Sequence, residues 1–465
     1  VNEDKKRCEM EQKVEATHEQ RYPVLHPFTF MPGYEGEAGD LFHQHNIMLH
    51  RGSGSWVYDT DERPYLYTTT AVPSVGLGNE QVMNRIRHQY ETLSFGSTCG
   101  QTHPLIQQLS ERLLHIVGDP FGMVFYGTDG SGAVETAMRL ARQYFIAQNK
   151  PKRTAFISLE GNYHGTTYGT GAVTHLGIQE SFGPGMSHCY AAPFPFGFRP
   201  PIEGTPDGVV KYCLDMLEEI IFDIGPYAVA AVLLEPVQGV NGIHPLPVEY
   251  VQAVRKITEK YGILLIMDEV TTGIGRTGSW IASHHYGVQA DMLTLSKGLT
   301  GGYFPMGATL ISTSIARQLF GDGGIFLHGS TQSGHPVGCA AALAVLDLIE
   351  EGELLNKTRE HGELILQSLR SNLQLHPHVG DIRGMGLMLA IEFVQEKQSK
   401  TPVDYAFGQQ LSKALHSEGI LGNYFNNTLL MYPPLTITRE ESQQLIDGVT
   451  RAVLQVSNDQ RSREE

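Results

Sequence analysis

Apolar positions along this chain follow two patterns that alternate. Short continuous runs have the length of strands: TAFISLE (154–160), AVAAVLLEP (228–236), ILLIMDEV (263–270), MLTLSKG (292–298) and MGATLIS (306–312). Other stretches repeat their apolar residues at helical spacing. These are THPLIQQLSERLLHIV (102–117), SGAVETAMRLARQYFIAQ (131–148) and VEYVQAVRKITEKYG (248–262). In the second, Val134, Met138, Ala141 and Phe145 share one stripe. Apolar strands interleaved with amphipathic helices predict an α/β fold with a largely parallel sheet covered on both faces. In such a sheet, ligands bind beyond the carboxyl ends of the strands.

The flanks read differently. SGSWVYDTDERPYLYT (53–68) predicts a hairpin, SWVYD and PYLYT around a polar turn. Beyond about residue 340, long helices (337–374) precede DIRGMGLMLAIEF (381–393), a helix near 403–418 and a last helix in TREESQQLIDGVTRAVLQV (438–456). Thr438 and Glu441 are spaced for a capping box at its start. The expected division is a mobile tail over 1–20, the first part of a small domain over 21–70, a large domain over 71–340, and the α+β remainder of the small domain over 341–465. A chain of 465 residues fits two or three lobes.

Charge and cysteine usage narrow the partners. A net charge of −16 repels nucleic acid and anionic membrane at long range, so neither is expected as a partner. Cys8, Cys99, Cys189, Cys213 and Cys339 lie far apart with no CxxC pair. That disfavours a disulfide framework or a zinc site and favours a reducing cytoplasm. No apolar run approaches the roughly 20 residues that span a bilayer. The charged opening VNEDKKRCEMEQK does not read as a secretory signal.

Candidate chemistry sits at the strand ends. ILLIMDEV leads into Asp268 and MLTLSKG into Lys297. A carboxylate and a lysine at two strand ends of one sheet can converge on one ligand. Pyridoxal phosphate needs such a pair, a lysine for its Schiff base and an anion for its ring nitrogen. An isolated strand-end aspartate serves equally as a helix cap or a metal ligand. In GTDGSGAVETA (127–137) a glycine-rich turn opens a helix whose free N–H groups favour a phosphate, and Ser131 adds a hydroxyl. A plain glycine turn with a serine cap has the same appearance, and the G-K-[ST] of a nucleotide P-loop is missing. GNYHG (161–165) follows the strand TAFISLE, where Tyr163 or His164 can lie against a flat ring or simply pack. His164 has no second histidine at ligand spacing, so no metal is expected.

Taken in order, these segments resemble the class III pyridoxal-phosphate aminotransferases, the ω-amino-acid group. The matching strings are NYHG (162–165), EPVQG (235–239), DEVTTGIGRTG (268–278), SKGLTGGYFPMGA (296–308), HGSTQSGHPVGCAAALA (328–344), RGMGLMLAIEF (383–393) and PPLTIT (433–438), within a likeness over roughly 25–455. The resemblance implies fold type I, with a mainly parallel seven-stranded sheet in a large domain and a smaller α+β domain built from both chain ends. It also implies pyridoxal 5'-phosphate as cofactor. Lys297 would carry the Schiff base and shuttle the proton, Asp268 would pair with the ring nitrogen, and Tyr163 would stack on the ring, these three being the candidate catalytic residues. Val270 would pack on the other ring face, with His164 beside it. Gln238 would lie near the ring hydroxyl and Glu235 in the cleft. Gly130 and Ser131 would hold the phosphate, and Thr331 would reach it from a partner subunit, which implies a homodimer or a tetramer.

The implied reaction is ping-pong transfer of an amino group from an amine or ω-amino donor to a keto acid such as pyruvate or 2-oxoglutarate. A racemase or epimerase on the same scaffold is the alternative, and a cofactor-binding protein without turnover is a third reading. Departures from the family pattern are informative. The phosphate turn is DGSGA (129–133) where SGSEA is usual, so Asp129 must turn away or cap the helix. In LLMYPPL (429–435), Leu430 stands where members that grip an α-carboxylate carry an arginine. Arg276 and Arg383 are the other candidates for that grip, although both sit in family-typical turns. Leu430 favours a donor that presents a terminal amine. Trp56, Tyr67 and Phe95 are candidates for an aromatic entrance.

Overall fold

Seven runs pair into one sheet: β1 (Phe121–Gly127), β2 (Ala155–Leu159), β3 (Cys189–Ala192), β4 (Val229–Leu234), β5 (Leu264–Asp268), β6 (Met292–Leu295) and β7 (Gly307–Ser312). The computed structural model describes residues 24–29 and 46–464, so the tail expected over 1–20 lies outside the described residues. The strand order is β1-β7-β6-β5-β4-β2-β3. Strands β3, β2, β4, β5 and β6 pair in parallel. β7 runs antiparallel to both β6 and β1.

The alternation along each strand explains why this sheet is buried on both sides. Phe156, Ala231, Leu233, Leu264, Ile266, Met292 and Ile311 join one apolar cluster with Val134, Met138 and Phe145 of the helix Gly130–Ala147. Their neighbours Ile157, Val232, Leu234, Leu265, Met267, Leu293 and Leu310 join a second, larger cluster on the opposite face. Each strand thus supplies both cores by its period of two. The stripe Val134–Met138–Ala141–Phe145 is buried, as its spacing predicts.

Past the sheet, the helices Pro336–Glu351, Leu354–Leu373, Tyr405–Ser417 and Arg439–Glu464 accompany an antiparallel set of strands, Val379–Met385, Met388–Glu396, Thr428–Met431 and Asn423–Phe425. The capping box forms: Thr438 Oγ1 accepts from Glu441 N at 3.1 Å, and Glu441 Oε2 accepts from Thr438 N at 2.9 Å. The same carboxylate takes Ser55 Oγ–H at 3.0 Å and Trp56 Nε1–H at 2.8 Å. The strands Trp56–Asp59 and Pro64–Tyr67 form as predicted, and Asp59 Oδ1 holds their turn by accepting from Asp61 N and Arg63 N.

The described residues fall into two compact units, those up to 52 with 57–64, and 53–56 with 65–464. The helix Pro336–Glu351 spans the position near 340.

The reversal of β7 places Gly307 opposite Gly127, at the edge where the parallel strands end. A Cβ on Gly307 would stand 2.1 Å from the carbonyl oxygen of Asp129, the residue that starts the helix Gly130–Ala147. Only a residue without a side chain lets strand and helix start approach this closely. Gly307→Ala is therefore expected to lower stability by about 1–3 kcal/mol and to weaken cofactor retention, read by thermal unfolding and by the cofactor's absorbance after gel filtration.

Candidate active site

The carboxyl ends of β1, β2, β5 and β6 surround a cavity of about 420 Å³. Its lining includes Gly130, Ser131, Tyr163, His164, Asp268, Val270 and Lys297, so the structure brings together seven of the residues singled out from sequence. Val72, Phe304, Pro305 and Met306 complete the wall on the apolar side.

Asp268 ends β5 and is 4% exposed. Its Oδ1 accepts from Val270 N and from Thr294 Oγ1–H, each at 3.0 Å. Its Oδ2 faces His164 Nδ1 at 2.7 Å. Two donors and the facing imidazole nitrogen, from three segments, offset the cost of burying this group.

Lys297 follows β6 in a backbone conformation with φ +38°, in the left-handed region that β-carbons resist. The turn is anchored on both sides: Ser296 Oγ–H donates to Met306 O at 2.7 Å, and Gly298 O accepts from Ser74 Oγ–H at 2.9 Å. Strain of this kind costs about 1–3 kcal/mol and clusters at functional sites. Burial pushes the Lys297 amine below the ordinary lysine value, against the opposite pull of Glu235 and Asp268. Its Nζ donates to Thr271 Oγ1 at 2.6 Å.

At the other end, Asp129 caps the helix Gly130–Ala147, its Oδ1 accepting from Gly132 N at 2.7 Å. That resolves the concern about a carboxylate in the phosphate turn, since the side chain is engaged by the helix start. A Cβ on Gly130 would meet Val270 Cγ1 at 2.8 Å, and one on Gly165 would meet Ser131 Oγ at 2.4 Å. The turn is a narrow cradle of backbone and one hydroxyl at a helix N-terminus, which suits a phosphate. With an anion for the ring nitrogen, a buried amine and this cradle in one cavity, the residues present fit pyridoxal phosphate.

Glu235 and Gln238 are not among the residues that line the cavity. Glu235 Oε1 and Oε2 accept from Tyr163 N at 2.8 Å and Gly239 N at 3.0 Å. Gln238 Nε2 donates to Glu160 O at 2.9 Å and to Asn162 Oδ1, and its Oε1 accepts from Asn241 Nδ2 at 3.2 Å. Their polar atoms are thus engaged by the wall, and the Glu235 carboxyl acts on the charge of Lys297. The aromatic entrance differs. Trp56 is held by Glu441, Phe95 lies against the His335 ring, and neither they nor Tyr67 reach the cavity. Thr331 is exposed in a turn and is not part of the cavity of its own chain.

The sequence pattern described as aminotransferase class-III matches residues 41–453. The chain belongs to the class-III aminotransferases. This transaminase uses pyridoxal phosphate and shares the fold of its relatives. An adenosylmethionine-8-amino-7-oxononanoate aminotransferase of Geobacter sulfurreducens is 32% identical over 443 residues, 93% of this chain and 96% of the relative. A putrescine–pyruvate aminotransferase of Pseudomonas aeruginosa is 31% identical over 410 residues, 86% and 88% of the two chains. The solved amine transaminase of an uncultivated Pseudomonas species, in its PLP-bound form, superposes with a TM-score of 0.90 at 32% identity, covering 94% of this transaminase and 100% of that chain.

Thr271, Thr294 and Asn162 are site residues that sequence reading missed. Each stood inside a quoted string, Thr271 in DEVTT, Thr294 in MLTLSKG and Asn162 in NYHG, without being singled out.

Burial raises the Glu235 carboxyl to about 7, against the pull of two backbone N–H groups. A carboxyl raised in the folded state binds its proton more tightly there than in the unfolded chain. Its contribution to stability is thus complete below the unfolded value near 4.5 and is lost as pH rises through about 7. In the cofactor-free transaminase, the fall in unfolding temperature between these two values is expected to flatten in Glu235→Gln.

Proposed function

We propose that this transaminase takes its amino group from a donor with a terminal primary amine, a diamine or ω-amino compound, and passes it to a keto acid. The observation that carries the proposal is the composition of the cavity: among its described lining residues Lys297 is the only lysine or arginine. Leu430 is 1% exposed in an apolar cluster with Ala71, Val237, Met388 and Ala390. Arg276 is spent on the carbonyls of Ala71, Leu387 and Pro433. Arg383 is spent on Gly242 O, Asp381 and Glu392. Neither of these two arginines is therefore free to clamp an α-carboxylate. The putrescine–pyruvate relative, which pairs a diamine with a keto acid, supports the same reading, and the relatives' names favour transfer over racemisation.

Bound pyridoxal phosphate supplies the aldehyde that condenses with amines and the ring that draws electrons from the substrate carbon. Lys297 would be the residue that carries the cofactor in the resting enzyme. Once displaced, its Nζ takes the proton from the donor's amine-bearing carbon and later returns it, a role suited to an amine whose pKa is lowered by burial. Asp268 holds a negative charge at the ring-nitrogen end. Tyr163 and Val270 would flank the ring, with His164 beside Asp268. Gly130 and Ser131 donate to the phosphate. Glu235 and Gln238 hold the walls that carry Tyr163 and His164. The keto acid then enters the same cavity and the sequence reverses.

The assembly we propose is a homodimer in which Thr331 of one subunit completes the phosphate site of the other. Thr331 is exposed beside Ile325 and Leu327, which are 68% and 83% exposed, a surface suited to a second copy. A cytoplasmic setting is supported by free thiols at Cys99, Cys189, Cys213 and Cys339. No helix among the described residues is long and apolar enough to cross a membrane.

Mixing the pyridoxal form with a panel of amines and following conversion to the pyridoxamine form by absorbance tests the donor class. Diamines and ω-amino acids are expected to react at least about tenfold faster than common α-amino acids; the opposite ranking would defeat the proposal. Lys297→Ala is expected to lose about 10³-fold or more in rate. Subunit exchange tests the dimer. Lys297→Ala and Thr331→Glu subunits, each inactive alone, are expected to regain about a quarter of wild-type activity when mixed, because one site in each mixed dimer is intact. Absence of any recovery counts against Thr331 acting across subunits.

A further inference from the structure

The wall behind Asp268 is a chain of amides with a defined direction. Gln238 Nε2 donates to Glu160 O and to Asn162 Oδ1, and its Oε1 accepts from Asn241 Nδ2. Because Asn162 Oδ1 is the acceptor from Gln238, its Nδ2 is the atom facing His164 Nε2, at 3.0 Å. An amide nitrogen only donates, so Nε2 must be the bare nitrogen of the ring. The proton then sits on Nδ1, which donates to Asp268 Oδ2 at 2.7 Å. Every link agrees on one polarity, from the edge of the wall to the carboxylate.

The burial and the backbone both favour a built device. Asn162 and Gln238 are 0% exposed and His164 is 2% exposed. Asn162 is pinned through its backbone, its N–H donating to Leu159 O at 3.1 Å and its carbonyl accepting from His175 N at 3.0 Å. The preceding Gly161 has φ +76°, and a Cβ there would lie 2.1 Å from Asn241 Nδ2 and 3.2 Å from Gln238 Oε1. The chain leaves room for its amides by having no side chain at that position.

We propose that Asn162 is a positioning residue for amino transfer. By donating to Nε2 it holds His164 as the neutral Nδ1–H tautomer, and so keeps Asp268 a full anion at the ring-nitrogen end of the cavity. The proposal rests on the assignment of Asp268 to the ring nitrogen made above. With the opposite tautomer, a ring lone pair would face the carboxylate and repel it. With an imidazolium, a positive charge beside Asp268 would weaken its hold on a protonated ring nitrogen.

The test reads the cofactor-free protein first, so that it does not depend on the transaminase reading. Ring-nitrogen NMR of histidine-labelled protein, with the His164 signal identified by its loss in His164→Gln, is expected to show Nδ1 protonated and Nε2 bare. Asn162→Asp, which sets an acceptor against Nε2, is expected to protonate both nitrogens at neutral pH. Asn162→Leu is expected to lose the single tautomer. In the cofactor-loaded enzyme, both variants are expected to slow the first amine half-reaction about tenfold or more, with a smaller change in amine affinity and a shifted cofactor absorbance. Should the Asn162 variants fold poorly, Gln238→Met leaves Asn162 in place, frees its amide to rotate, and is expected to populate both tautomers. A wild-type His164 protonated at Nε2, or a His164 spectrum and half-reaction rate unchanged across these variants, overturns the proposal. Loss of the amine reaction with the His164 pattern as expected would instead count against the transaminase assignment of Asp268.

Discussion

The arrangement depends on keeping the side chain of one acidic residue, Asp268, away from water. Taking a carboxylate charge out of water costs several kcal/mol even after relaxation, and hydrogen bonds to a charged group return about 1.5–3 kcal/mol each. The three partners of Asp268 come from different places: Val270 on the same segment, Thr294 on the neighbouring strand β6, and His164 on the loop after β2. Holding this group therefore requires three pieces of chain to be in register at once. The parallel packing of β6, β5, β4 and β2 supplies that register, and the same register carries Lys297 and Tyr163 to the cavity.

Much of this was legible in the pattern of residues. The run of β4, and that of β5 up to Asp268, is apolar because both sheet faces are covered, so they announced themselves. The edges did not. β1 carries two glycines, and Gly122 and Met123 are exposed, so its alternation is broken. β3 has only four residues, too few to show a period. The reversal of β7 is invisible in principle, since a period of two reads the same in either direction.

The site divides along similar lines. Lys297 and Asp268 stand where strands end, and position alone drew attention to them. Asn162 and Thr294 read as an ordinary loop amide and an ordinary strand hydroxyl, and only the three-dimensional neighbours give them a use. Glu235 and Gln238 were singled out because likeness along a chain gives an address, while the direction of a side chain depends on which donors and acceptors surround it. Asp129 looked like a repulsive group, and the helix start that it caps changed its meaning.

The segment that closes the cavity on its apolar side is tied at many points. Ser296 holds Met306, Thr300 Oγ1–H donates to Phe304 O at 2.6 Å, and Tyr303 bridges Gly76 O at 2.8 Å and Asn79 N at 2.6 Å. The Phe304 ring also lies 4.6 Å from the His335 ring, centre to centre. A rim this stiff discriminates by excluded volume rather than by adapting to its guest. Amines that outgrow the gap must break one of these ties to enter, so acceptance should end abruptly with size instead of tapering.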